Sequence, residues 1–165
     1  MRNFYKLFVL FVCIFTTACA TNPELKLFLV SENVKQFFIP PTEWKNVNSN
    51  NVLVDLDITY NTDPASVARC NISFKGSKKS PHEVTSASFI GDGVSYTLQE
   101  ISYLYLNSSK KTLRISTKSP PENIIAVLES KAIALKAVVD GVEYQFVPSK
   151  SFLTLKDQFL EEYRY

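Results

Sequence analysis

The amino-acid sequence predicts a mainly β fold, an antiparallel β-sandwich with a short amphipathic helix at its C-terminal end. Three observations carry this expectation. Several short segments alternate apolar and polar side chains, as half-buried strands do. Turn signals rich in glycine, asparagine and aspartate separate them at hairpin spacing. The last segment changes period, with apolar residues recurring every three or four positions, as on one face of a helix.

Taken in order, Leu25 to Val30 reads as a first strand. Lys35 to Pro41 reads as a short second one at an edge or sheet end, because Pro40 and Pro41 have no N–H to give to a ladder. Thr42 to Asn51 is polar and asparagine-rich and reads as a loop containing Trp44. Val52 to Tyr60 alternates, with Val54, Leu56, Ile58 and Tyr60 on one face and Asp55, Asp57 and Thr59 on the other. After a turn at Asp63-Pro64, Val67 to Lys75 alternates again and should pair with it as an antiparallel hairpin. Val84 to Ile90 and Val94 to Gln99 flank Gly91-Asp92-Gly93, and Ile101 to Leu106 and Lys111 to Thr117 flank Asn107-Ser108-Ser109-Lys110. Pro120 to Leu128 reads as a helical turn started by Ser119 and the prolines. Ala132 to Val139 and Val142 to Val147 flank Asp140-Gly141, a two-residue hairpin signal. At residues 150–163 Phe152, Leu155, Phe159 and Tyr163 mark the apolar face of the terminal helix, which Ser151 can cap. Strand count and size suggest an immunoglobulin-like sandwich, although no disulfide pins it.

The first residues, MRNFYKLFVLFVCIFTTACA, follow the layout of an export signal: Arg2 and Lys6, an apolar run from Leu7 to Phe15, then small residues. That run is too short to cross a bilayer, which takes about 20 apolar residues. Thr16-Thr17-Ala18-Cys19 resembles a bacterial lipobox, in which an aliphatic and two small residues precede a cysteine, with Thr16 at the aliphatic place. The resemblance implies cleavage after Ala18 and a diacylglycerol thioether on Cys19. Simple secretion, with cleavage after Ala18 or Ala20, is the competing reading of the same residues. The expected organisation is therefore a signal at 1–18, a lipidated tether at 19–24 and a single domain at 25–165. Cys13 leaves with the signal and the resemblance puts lipid on Cys19, so Cys70 is expected alone, as a small buried hydrophobe without a disulfide; an unlipidated Cys19 would leave a Cys19–Cys70 bridge open. The chain has 18 basic and 16 acidic residues; loss of Arg2 and Lys6 leaves 16 of each. That balance offers no basic surplus for nucleic acid.

Catalytic groups are sparse. His82, the only histidine, lies in a polar loop without a nucleophile elbow elsewhere and reads as a solvated side chain. Asp55, Asp57 and Asp63 are the weak candidates for a Ca²⁺ site or for acid/base work on a glycan. Cross-strand pairing of Asp55 and Asp57 with Arg69 and Lys75 explains them more simply. Gly91-Asp92-Gly93 precedes a strand rather than a helix and reads as a turn, not a phosphate loop. Tyr96, Tyr103 and Tyr105 fit either the core or a contact surface, with burial preferred.

The expected protein is thus a non-enzymatic, membrane-anchored envelope lipoprotein without cofactor, acting as a binding or assembly module. Its partners are the membrane through the N-terminal lipid and a protein or glycan. Ala20 after the cysteine does not look like the aspartate that retains enterobacterial lipoproteins in the inner membrane, which points to the outer membrane where a cell has two. The alternatives are a small hydrolase using Asp55 and Asp57, and a surface-exposed lipoprotein that faces a host.

Overall fold

The structure, a computed structural model, describes residues 23–48 and 51–164. The expected export signal, Cys19 and the tether up to residue 22 lie outside the described residues. Ten strands follow the chain: β1 (Lys26–Ser31), β2 (Val34–Asn46), β3 (Val52–Asn61), β4 (Ala68–Gly76), β5 (Val84–Gly91), β6 (Val94–Thr97), β7 (Gln99–Asn107), β8 (Thr112–Ser119), β9 (Ile133–Val139) and β10 (Val142–Pro148). Helix α1 (Pro121–Glu129) separates β8 from β9, and α2 (Lys150–Tyr163) ends the fold.

All the strand pairings are antiparallel, and the strands form one sheet in the order β6-β5-β9-β10-β2-β3-β4-β8-β7, with β1 attached to β2 beside that path. The two ends of the path, β6 and β7, are consecutive in the chain and separated only by Leu98. The Leu98 N–H donates to the Ala87 carbonyl at 2.9 Å, prolonging the β5–β6 ladder. The chain then bends at Glu100, whose φ is 52°, and the register slips between Gln99 and Ser102 as β7 joins β8. One long strand thus changes partner, and the sheet curls back on itself.

The β3–β4 hairpin forms as expected, with Val54 opposite Phe74, Leu56 opposite Ile72 and Ile58 opposite Cys70. In the two Asp-Gly turns both central residues take positive φ, 47° and 87° at Asp92-Gly93 and 50° and 77° at Asp140-Gly141. That geometry matches the twist of the flanking strands. Each turn aspartate also holds a neighbouring segment: Asp92 accepts from the Lys131 and Ala132 amides, and Asp140 from those of His82 and Glu83.

Two expectations about β2 are corrected. The strand continues through Trp44 to Asn46, so the first half of the segment read as a loop is strand. Thr42, Trp44 and Asn46 are buried while Glu43 and Lys45 are exposed, an alternation hidden by its polar composition. Nor is this an outer strand: β3 lies along one side, and on the other β1 pairs with Val34 to Phe38 and β10 with Trp44 to Asn46. The prolines are accommodated because the register slips between Ile39 and Thr42, placing Pro40 and Pro41 in a bulge where no ladder N–H is required.

The core fills the inside of the curl. Phe37, Trp44, Leu56, Ile58, Ile72, Phe74, Phe89 and Phe146 are essentially inaccessible. Helix α2 inserts Phe152, Leu155 and Phe159. Phe152 meets Trp44 edge-on at 4.7 Å, and Phe159 meets Phe37 at 4.8 Å and Tyr60 at 5.5 Å, favoured aromatic geometries. The helix cap is Ser149, which accepts from the Phe152 amide, and not Ser151, which lies in the first turn.

Candidate functional site

The polar face of β3, β4 and β8 carries the candidate carboxylates. Asp55 pairs with Lys75, one of the two cations expected on its face of the hairpin. Asp57 does not pair with Arg69. It receives Arg114 of β8 at 2.5 Å and the Asn71 amide at 2.7 Å, and the same guanidinium donates to the Ser73 hydroxyl at 2.6 Å. Asp57 is also buried, at 2% exposure, where the alternation had placed it toward solvent. The cause is the third strand: Asn71 lies opposite Asp57 on β4, and Arg114 reaches over from β8 to pair with it. A carboxylate held by a guanidinium and an amide is an acceptor already satisfied, which suits a structural role better than proton transfer.

Asp63 lies at the far end of β3 and accepts from the Ala65 amide of its own turn. The three aspartates therefore do not converge. Among the described residues, no three His, Cys, Asp or Glu side chains are grouped to hold a metal ion. His82 is an exposed loop residue. Cys70 is fully buried, and burial, followed by the nearby Asp57 charge, pushes its thiol well above the ordinary range.

An open cleft of about 530 Å³ is lined by the Asp55–Lys75 pair together with Tyr105, Lys110 and Arg114. Tyr105 belongs to β7, the other feature that stands out. Tyr103, Leu104, Tyr105 and Leu106 are four consecutive side chains about half exposed, at 53%, 51%, 50% and 48%. Large apolar residues scattered singly on a surface are ordinary; a run of four on a strand is not. Tyr103 and Tyr105 are thus not core residues, contrary to the preferred expectation, whereas Tyr96 is half-buried and packs against the core.

β7 pairs with β8 along one edge only, and its other edge faces the start of β5. No strand ladder bridges this seam. Instead the Tyr103 phenol reaches across it, accepting from the Val84 amide at 3.1 Å and donating to the Val84 carbonyl at 3.2 Å. A side chain there occupies backbone groups that a strand would otherwise use. The seam was invisible in the sequence, since it depends on where β6–β7 changes partner; the run SYLYL was its only local sign.

At the opposite end of β3, a hollow of about 410 Å³ is lined by Tyr60, Asp63, Glu122, Glu129 and Tyr163. Burial first, then its hydrogen bond with Tyr163, pushes the Tyr60 phenol well above its ordinary range. No helix among the described residues is long and apolar enough to cross a membrane.

No known protein family matches the chain, and neither a curated protein nor a solved structure is significantly similar to it.

Proposed function

We propose that this protein is a lipid-anchored lipoprotein of the bacterial cell envelope whose β domain binds a protein partner through the exposed side chains of β7. The observation that carries the binding half is the run of half-exposed side chains Tyr103, Leu104, Tyr105 and Leu106. Adjacent aromatic and apolar side chains on a rigid strand suit a protein contact, in which they serve as anchors. Beside that strand, Tyr105 and Lys110 line a cleft in which Lys75 is paired with Asp55 and Arg114 with Asp57, so its polar contacts would be hydroxyl- or amide-like rather than strongly acidic. The address rests on the lipobox-like Thr16-Thr17-Ala18-Cys19. Binding rather than catalysis is favoured by the engagement of Asp55 with Lys75 and of Asp57 with Arg114.

We also read the curl as two facing halves, a sandwich-like arrangement. Phe74 on β4 meets Phe146 on β10 at 6.2 Å although β3 and β2 lie between those strands in the hydrogen-bonded path. The immunoglobulin-like type gains no support from that single path.

The test is purification of the full chain from detergent-solubilised membranes after palmitate labelling. The expected result is a labelled protein that carries a discrete partner, with Cys19→Ala losing the label and Leu104→Glu losing the partner. Label persisting in Cys19→Ala overturns the anchor. Repeated recovery of the bare wild-type protein overturns the binding role.

A further inference from the structure

Strand β1 is the most unusual stretch of the surface. All six of its residues are exposed, including Leu27, Phe28, Leu29 at 76% and Val30 at 60%. Leu27 and Leu29 project from one face and Phe28 from the other, with Val30 in the irregularity before Ser31, so both faces of the strand are apolar and both are wet. The strand pairs only with the first part of β2, through the two-residue turn Glu32-Asn33, and lies beside the main path of the sheet. It is an arm, not part of the wall that encloses the core.

We infer that the β1 arm is a second membrane contact, seated in the interfacial layer of the bilayer that holds the lipid on Cys19. The inference rests on the lipid-anchor reading and deepens it, by assigning the bilayer as the occupant of a described surface. Position in the chain is the first argument. Lys26 is seven residues beyond Cys19, which limits their separation to about 25 Å even when fully extended. The arm thus cannot leave the neighbourhood of the headgroups. Shape is the second. A protein docked on one face of β1 would cover Leu27 and Leu29 or Phe28 and leave the other face wet, whereas the interfacial layer of a bilayer admits apolar side chains from both faces. Depth follows from the backbone. The outer edge of β1 has no ladder partner among the described residues, and unpaired N–H and C=O groups are costly in hydrocarbon. The arm therefore lies at the headgroup boundary, where water and headgroups satisfy them. Charge sets the lipid dependence. Glu24 and Glu32 balance Lys26 and Lys35 around the arm, so the contact is apolar and indifferent to anionic lipid and to salt. Such an arm would fix how the domain stands on the membrane, leaving β7 free for its partner.

Phe28→Trp tests this directly, because Phe28 is half exposed and outside the core, while Trp44 is fully buried and gives a constant background. The full lipidated chain is reconstituted into phosphatidylcholine vesicles with or without spin-labelled lipid, beside Gln158→Trp, an exposed position on α2, as control. Blue-shifted emission and several-fold stronger lipid quenching at position 28 than at 158, unchanged by salt or added anionic lipid, are expected. Water-like, unquenched emission at position 28 in a chain that still takes palmitate overturns the arm and leaves the anchor standing. A chain that takes no palmitate overturns the anchor itself. Burial of position 28 in native membranes but not in pure lipid assigns the arm to a protein and also overturns the inference.

Discussion

Arg114 stands 57 residues beyond Asp57 in the chain and yet is its principal partner, at 2.5 Å. Asp57 is 2% exposed. Removing one member of a buried pair leaves the other unsatisfied, which typically costs about 3–5 kcal/mol. With the Arg114 side chain 20% exposed, Arg114→Met should fall near the lower end, read as a drop in the urea midpoint. Adding Asp57→Leu should recover much of the loss, because an apolar pair is often as stable as a buried ionic one. A single variant as stable as wild type would mean that the pair is not coupled to folding. Asp92 makes a pH-dependent contribution. Amide hydrogen bonds from Ala132, then Lys131, hold its carboxyl below the ordinary carboxylate range. A lowered folded-state value stabilises the fold above the unfolded value, and that contribution is lost as pH falls through the folded one. Asp92→Asn should therefore make thermal stability less sensitive to pH below about pH 4, the ordinary aspartate value. An unchanged acid limb would contradict this role. At this scale the sequence was least informative. The alternation located Asp55 and its partner Lys75, because a hairpin is a local object. It could not reveal that Arg114, brought in by a third strand, buries Asp57.

Among the elements, α2 does what its apolar period implied. Phe152, Leu155 and Phe159 face inward, and the helix closes the curled sheet over Phe37, Trp44 and Tyr60. Phe159→Ala should cost about 3–5 kcal/mol through lost burial and the cavity left behind, measured by thermal melting. A loss under about 1 kcal/mol would mean that the helix is not part of the core. The hairpins were legible because their signals are short-range: an alternating strand, an Asp-Gly turn, another alternating strand. β2 was legible only as far as its prolines. Pro40 and Pro41 imply a stop when each is taken as a missing donor, but a bulge removes the need for that donor and the strand runs on to Trp44. Trp44 was then misplaced because its neighbours Glu43, Lys45 and Asn46 are polar, although period two continues through them.

For the molecule as a whole, the mainly antiparallel β class and the terminal helix follow from local patterns, but the closing of the sheet does not. It depends on Leu98 and Glu100, where one strand leaves β5 for β8. The proposed lipid on Cys19 would hold the domain close to the bilayer, because only six residues separate Cys19 from Lys26. The proposed binding edge is tested most directly by placing a photo-cross-linking side chain at position 104 of the full chain in its native membrane, with position 158 as control. A discrete adduct at 104, absent at 158, is expected. No adduct at 104, or the same adduct at both positions, would contradict the assignment of β7 as the binding edge.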